Sequence, residues 1–252
     1  MYIVFLTALG IGFATVFGSI IGFAFKNISH RFSDLVLSFA AGVMLCAAVL
    51  GLVLPSLEYG GDFAIGVTAA GIFAGALVLN LLDKSVPHLH RISGVEYEGH
   101  TQANEKLNKV MLFIMAIAIH NLPEGIAAGV GFGTGNNAEA ITIAAGIALQ
   151  NIPEGMVIIS PMLVAGISKK RTILIAALTG VVEVIGTFLG YFAVNVSSAV
   201  LPFALAFAGG TMLYVISDEM IPETHAHDNQ RGVTYTLLLG FCVMLAMDFY
   251  LG

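Results

Sequence analysis

The 252 residues predict an all-α integral membrane protein with eight transmembrane helices. Hydrophobic residues make up 58% of the chain and charged residues only 10%, and the mean hydropathy is +0.92. Such a composition belongs to chains that bury themselves in lipid rather than to soluble domains. The apolar residues fall into eight runs of bilayer-spanning length, at about 2–25, 35–57, 62–82, 110–132, 138–165, 172–194, 200–222 and 233–251. All ten basic residues fall in alternate connections between these runs. Under the positive-inside rule this orients both termini to the extracytoplasmic side of a multi-pass protein of the plasma (inner) membrane.

The first run carries no charge before Lys26, so it reads as a retained helix rather than a cleaved leader with a cationic start. Lys26 and Arg31 mark the first connection as cytoplasmic, and the second run places Cys46 within the membrane. Glu58 and Asp62 form an outer turn where the third run begins, and Gly71 and Gly75 of that run are spaced for close helix packing. A hydrophilic cytoplasmic loop follows at about 84–109, carrying Lys84, Arg91, Lys106 and Lys109 with His88, His90 and His100. Three histidines at irregular spacing fit a solvated connection better than a built metal site, though they could hold a metal loosely. The fourth to sixth runs each carry a polar residue near mid-depth, where polar groups are costly. Lys169, Lys170 and Arg171 mark the fifth connection and Arg231 the seventh, and Cys242 lies in the last run. Both cysteines read as small core residues, since a disulfide has no role within spans. One membrane domain over 1–252 accommodates all eight runs.

One phrase occurs twice, thirty residues apart: His120-Asn121-Leu122-Pro123-Glu124-Gly125 and Gln150-Asn151-Ile152-Pro153-Glu154-Gly155. Each copy sets two metal-capable side chains four residues apart on one helix face with a third beside them. A carboxylate at the centre of a span costs about 2.5–3.5 kcal/mol on insertion scales, so it ordinarily faces a cavity or a bound ion. Pro123 and Pro153 lack the amide hydrogen that would bond the carbonyls of Ile119 and Leu149, which predicts a kink and a freed carbonyl in each helix.

Counting 1.5 Å per residue puts His120, Gln150, Glu154 and Glu183 near one level at the midplane. Glu183 has no base near it in sequence and needs a partner on another helix. One imidazole, three carboxylates and the amides of Asn121, Gln150 and Asn151 suit zinc and its first-row neighbours, with the amide oxygens leaving room for manganese or iron. There is no thiolate in the set, which looks built for passage rather than permanent holding.

These two phrases, Glu183, and the segment Ser217-Asp218-Glu219-Met220-Ile221-Pro222-Glu223-Thr224-His225 resemble the ZIP (Zrt/Irt-like) family of divalent metal transporters, bacterial branch, over essentially the whole length. The resemblance implies an inverted 3+2+3 arrangement, a homodimer, and a bundle of the first, fourth, fifth and sixth helices that slides against the others. It also implies a two-metal centre. His120, Glu124, Gln150 and Glu154 would hold one ion, and Asn121, Asn151 and Glu183 would hold the second, with Glu124 and Glu154 bridging. Zinc is then the transported substrate, with manganese, iron or cadmium as further candidates. Gln150 stands where many relatives carry histidine, and Asp218 where a histidine is common. Asp218, Glu219, Glu223, His225 and His227 fall toward the cytoplasmic end of the seventh run and read as an exit path or as an acidic helix end.

The composition excludes several classes. The net charge is −6 and the basic residues form no nucleic-acid patch. An intramembrane metal-dependent hydrolase would need a zinc-binding His-Glu-x-x-His helix, and none occurs. A metal-sensing or purely structural membrane protein gains nothing from three carboxylates at mid-depth. Transport of divalent metal ions into the cytoplasm, without enzymatic activity, is the expectation.

Overall fold

The structure is a computed structural model that describes residues 1–24, 29–85, 118–164, 167–196, 198–226 and 230–252. Among these residues there is no strand, and seven helices are long and apolar enough to cross a membrane. In chain order the helices are α1 (Tyr2–Gly22), α2 (His30–Cys46), α3 (Leu54–Tyr59), α4 (Ala64–Ser85), α5 (118–131), α6 (Asn137–Val164), α7 (Lys169–Val196), α8 (Leu201–Val215), α9 (Ile221–His225) and α10 (Gln230–Leu251). The second crossing joins α2 to α3 through a π-helical turn at Ala47–Val53, and the seventh joins α8 to α9 through another at Ile216–Met220. α5 lies where the fourth crossing is expected.

Local chemistry sets several boundaries. Ser29 caps α2 by accepting from the amide of Phe32 at 3.2 Å. The α5–α6 turn closes on Gly135, whose φ of 79° puts it in the left-handed region that a glycine adopts freely. Asn136 then accepts from the amide of Ala138 at 3.0 Å as α6 begins. Both π turns end two residues before a proline, Pro55 or Pro222, with the Leu54 amide reaching Val49 O and the Ile221 amide reaching Ile216 O. Proline cannot take its place in the regular i→i−4 ladder, and widening the preceding turn by one residue accommodates it. α5 and α6, by contrast, run as unbroken α-helix through Pro123 and Pro153.

Glycines bring the helices to backbone contact and divide them into groups. A Cβ on Gly18 would meet Ile152 O at 2.1 Å, and one on Gly155 would meet Thr15 O at 2.1 Å, locking α1 to α6. Gly12 and Gly180 face each other between α1 and α7, and Gly125 and Gly129 of α5 interleave with Gly186 and Gly190 of α7. The same device joins α2 to α10 through Gly42 and Gly240, and α4 to α8 through Gly71, Gly75 and Gly210. Where α6 meets the second crossing and α10, the contact is made by side chains instead: Ile143 against Gly51 and Met244 against Gly146. The core at this level is Val43, Met44, Leu52, Ile147, Leu205, Met212 and Met244, all buried. Phe13, Phe63, Phe73, Phe249 and Tyr250 are exposed on the outside, as a lipid-facing surface requires. Cys46 is buried as expected, but Cys242 is exposed, because it lies on the outward face of α10 rather than on the face that packs against α2.

Candidate metal centre

Three helices deliver the polar residues of the duplicated phrase to one level of the core. α5 supplies His120, Asn121 and Glu124, α6 supplies Gln150, Asn151 and Glu154, and α7 supplies Glu183. Glu124, Gln150, Asn151 and Glu183 are wholly buried, and Asn121 is 1% exposed. Glu154 is half-buried.

Two amide–carboxylate pairs organise the interior. Gln150 Nε2 donates to Glu124 Oε1 at 2.7 Å, and Asn151 Nδ2 donates to Glu183 Oε1 at 2.9 Å. Each pair ties two helices together and turns the remaining acceptors inward. Glu124 Oε2, Gln150 Oε1, Asn151 Oδ1 and Glu183 Oε2 are buried without a hydrogen-bond partner, as are both polar side-chain atoms of Asn121. A buried polar atom without a partner costs about 1–3 kcal/mol. Half a dozen such atoms in one small region are a cost that a bound cation would offset, and oxygen donors with a nearby imidazole suit a divalent transition metal. Among the described residues no three His, Cys, Asp or Glu side chains stand together as a ready metal cage.

His120 reaches the seventh crossing. Its Nε2 lies 3.0 Å from Glu219 Oε2, on the π turn of the seventh crossing, and both side chains are only partly buried. The widened turn at Ile216–Met220 is thus the element that brings a carboxylate of the seventh crossing to α5. π turns of this kind recur at functional sites.

The family model described as ZIP zinc transporter matches residues 88–248. The chain belongs to the ZIP family. It is 39% identical to the zinc transporter GufA of Myxococcus xanthus over 80% of this chain and 80% of that protein. It is 35% identical to the zinc transporter ZIPB of Bordetella bronchiseptica over 95% of this chain and 78% of that protein. Human zinc transporter ZIP11 is 31% identical over 94% of each chain. A ZIP chain with these apolar helices is a multi-pass membrane protein.

The remaining expected site residues of this ZIP chain are dispersed. Asp218 and Glu223 are exposed, and His225 is partly buried with Nδ1 2.9 Å from Ile221 O and Nε2 3.4 Å from Thr234 Oγ1. Among the exit-path residues, Glu219 reaches the phrase on α5. His88, His90, His100 and His227 lie outside the described residues.

Two polar residues of α1 bond the site helices although they belong to neither phrase, and of the two only Thr15 meets a site carboxylate. Thr15 Oγ1 donates to Glu183 Oε1 at 3.3 Å, and Ser19 Oγ donates to Gly155 O at 3.0 Å. Their signal in the sequence is two hydroxyl residues four apart in a helix otherwise built mainly of apolar residues and glycine, which puts both on one face.

Proposed function

We propose that this chain carries divalent transition metal ions, zinc foremost, across the plasma (inner) membrane into the cytoplasm through a two-metal centre built on α5, α6 and α7. The observation that carries the reading is the set of buried, unpartnered oxygen atoms of Glu124, Gln150, Asn151 and Glu183. His120, Glu124, Gln150 and Glu154 form the first position. Asn121, Asn151 and Glu183 form the second, with Glu124 and Glu154 shared between them. Relatives named zinc transporters support zinc as the cargo, while the amide oxygen at Gln150 widens the choice toward manganese, iron and cadmium.

Sliding of one helix group against the other is the mechanism the packing favours. α1, α6 and α7 are joined at glycines by backbone contact, and α5 is joined to α7 in the same way. The pairs α2–α10 and α4–α8 are joined likewise, but α6 meets α2–α3 and α10 through the side chains of Ile143 and Met244. Side-chain contacts can exchange partners, whereas interlocked backbones move together. The pairing of the second crossing with the eighth, mirrored by the third with the seventh, supports an inverted repeat around α5 and α6. The chain works as a single domain, in a homodimer, with both termini outside.

Uptake by the purified protein in sealed proteoliposomes, across zinc, manganese, iron, cadmium and calcium, tests this function. Saturable zinc uptake that exceeds calcium uptake is the expected result, and equal leakage of all five ions would defeat it.

A further inference from the structure

Thr15 behaves unlike Thr179, Thr187, Thr211 and Thr236, and like Thr68, whose hydroxyl meets Ser56 of α3 at 2.7 Å, it bonds outside its own helix. A helical threonine ordinarily turns its hydroxyl back to a carbonyl of the preceding turn. Thr187 bonds Glu183 O at 2.9 Å, Thr236 bonds Gly232 O at 2.7 Å, and Thr179 and Thr211 bond Ala176 O and Ala208 O. Thr15, only 2% exposed, reaches across to α7 and donates to Glu183 Oε1. The carbonyl one turn before it, Ile11 O, receives Asn151 Nδ2 from α6 at 3.4 Å.

The consequence is a three-helix exchange. Glu183 Oε1 accepts from both Asn151 and Thr15, and Asn151 Nδ2 donates to both Glu183 and Ile11. Both groups are therefore held on their outer side, and the atoms left over are Glu183 Oε2 and Asn151 Oδ1, buried and unpartnered. Gly155 and Gly180 let α1 come close enough, since a Cβ on either would strike Thr15 O at 2.1 Å or Gly12 O at 2.4 Å.

We infer that Thr15 is a positioning residue for the second metal position. It contributes no ligand, but with Ile11 O it fixes the rotation of the Glu183 carboxylate and the Asn151 amide so that one oxygen of each faces the ion. This rests on the proposed transport function. α1 is thereby a working wall of the metal centre and not only a packing partner.

The test is zinc titration by calorimetry of the full chain in lipid nanodiscs, paired with zinc uptake in proteoliposomes. Thr15→Val keeps the shape and removes the donor, and is expected to weaken the second ion by about tenfold, the low end for a hydrogen bond to a charged group, while the first ion is unchanged. Thr15→Ser is expected to restore the wild-type value. In a Glu183→Ala background Thr15→Val should add nothing. Ser19→Ala, which removes a hydroxyl from the same face but one that bonds a backbone carbonyl, should leave the second ion in place. Thr15→Ala stands in if valine disturbs assembly by size exclusion. Wild-type affinities in both Thr15→Val and Thr15→Ala, equal weakening of both ions, or the full effect persisting without Glu183 would overturn the inference. Wild-type protein that neither binds nor transports zinc would instead strike the transport function itself.

Discussion

Replacing Gly125 by alanine attacks the centre without touching a ligand. The new methyl would lie 2.2 Å from Glu183 O and 2.9 Å from the Glu183 Cα, against the 3.4 Å at which ordinary contact begins. The obstacle is backbone, so α7 must retreat from α5 by about 1.2 Å at Glu183, judged from those same distances. Metal–ligand distances tolerate only ~0.2 Å, so a displacement of this size separates Glu183 from ligands on the other helices. Zinc uptake in proteoliposomes is expected to fall by about 10- to 100-fold, the usual loss when ligand orientation is spoiled. The control is Gly66→Ala, where nothing lies within 4 Å and the added methyl has open space. Equal uptake by the two variants, both correctly inserted, would refute the claim that α5–α7 contact sets the ligand geometry.

Further outcomes follow from the same geometry. Gln150→His replaces the amide that bonds Glu124 with an imidazole. Zinc should gain over manganese in competitive uptake, and binding should weaken as the pH falls through about 6.5, because only neutral imidazole ligates; an unchanged ratio at two pH values would mean that Gln150 does not touch the cargo. Glu219→Ala removes the carboxylate 3.0 Å from His120 Nε2, a partly buried contact worth about 0.2–1 kcal/mol. Zinc should then bind roughly 1.5- to 5-fold tighter, whereas weaker binding would make Glu219 a ligand. In a Cys242→Ser background, cysteines at Asn136 and Lys170 should react with an impermeant thiol reagent from opposite faces, Asn136 from outside; labelling from one face would overturn the orientation.

The helices were legible because lipid imposes a length and a composition that few charges interrupt, and the described spans follow the apolar runs. α6 at Asn137–Val164 and α7 at Lys169–Val196 follow the runs at 138–165 and 172–194 to within about three residues at each end. The duplicated phrase was legible because a glutamate four residues beyond a donor, in apolar sequence, is too costly to keep at mid-depth unless a cation or a proton offsets its charge. What lay beyond reading was how side chains pair across helices. The periodicity puts His120 and Glu124 on one face, yet the structure turns His120 to Glu219 on the seventh crossing. That encounter depends on a π turn, and a proline alone does not announce one: Pro222 is preceded by such a turn, while Pro123 and Pro153 sit in continuous α-helix. Thr15 is hidden in the sequence for a related reason, since whether a helical hydroxyl bonds its own helix or a neighbour is decided by how closely the neighbour approaches.

Uptake by the Glu154→Ala and Glu124→Ala variants in sealed proteoliposomes, with wild-type protein alongside at matched insertion, bears most directly on whether transport runs through this centre. Glu124 is fully buried with one free oxygen, and Glu154 lies half-buried about one helical turn beyond Gln150 on α6. Each carboxylate is assigned to both ions, so removing either should abolish zinc uptake, while Glu183→Ala should lose chiefly the second ion and retain measurable transport. Near-normal zinc uptake by a correctly inserted Glu154→Ala or Glu124→Ala protein would contradict the assignment.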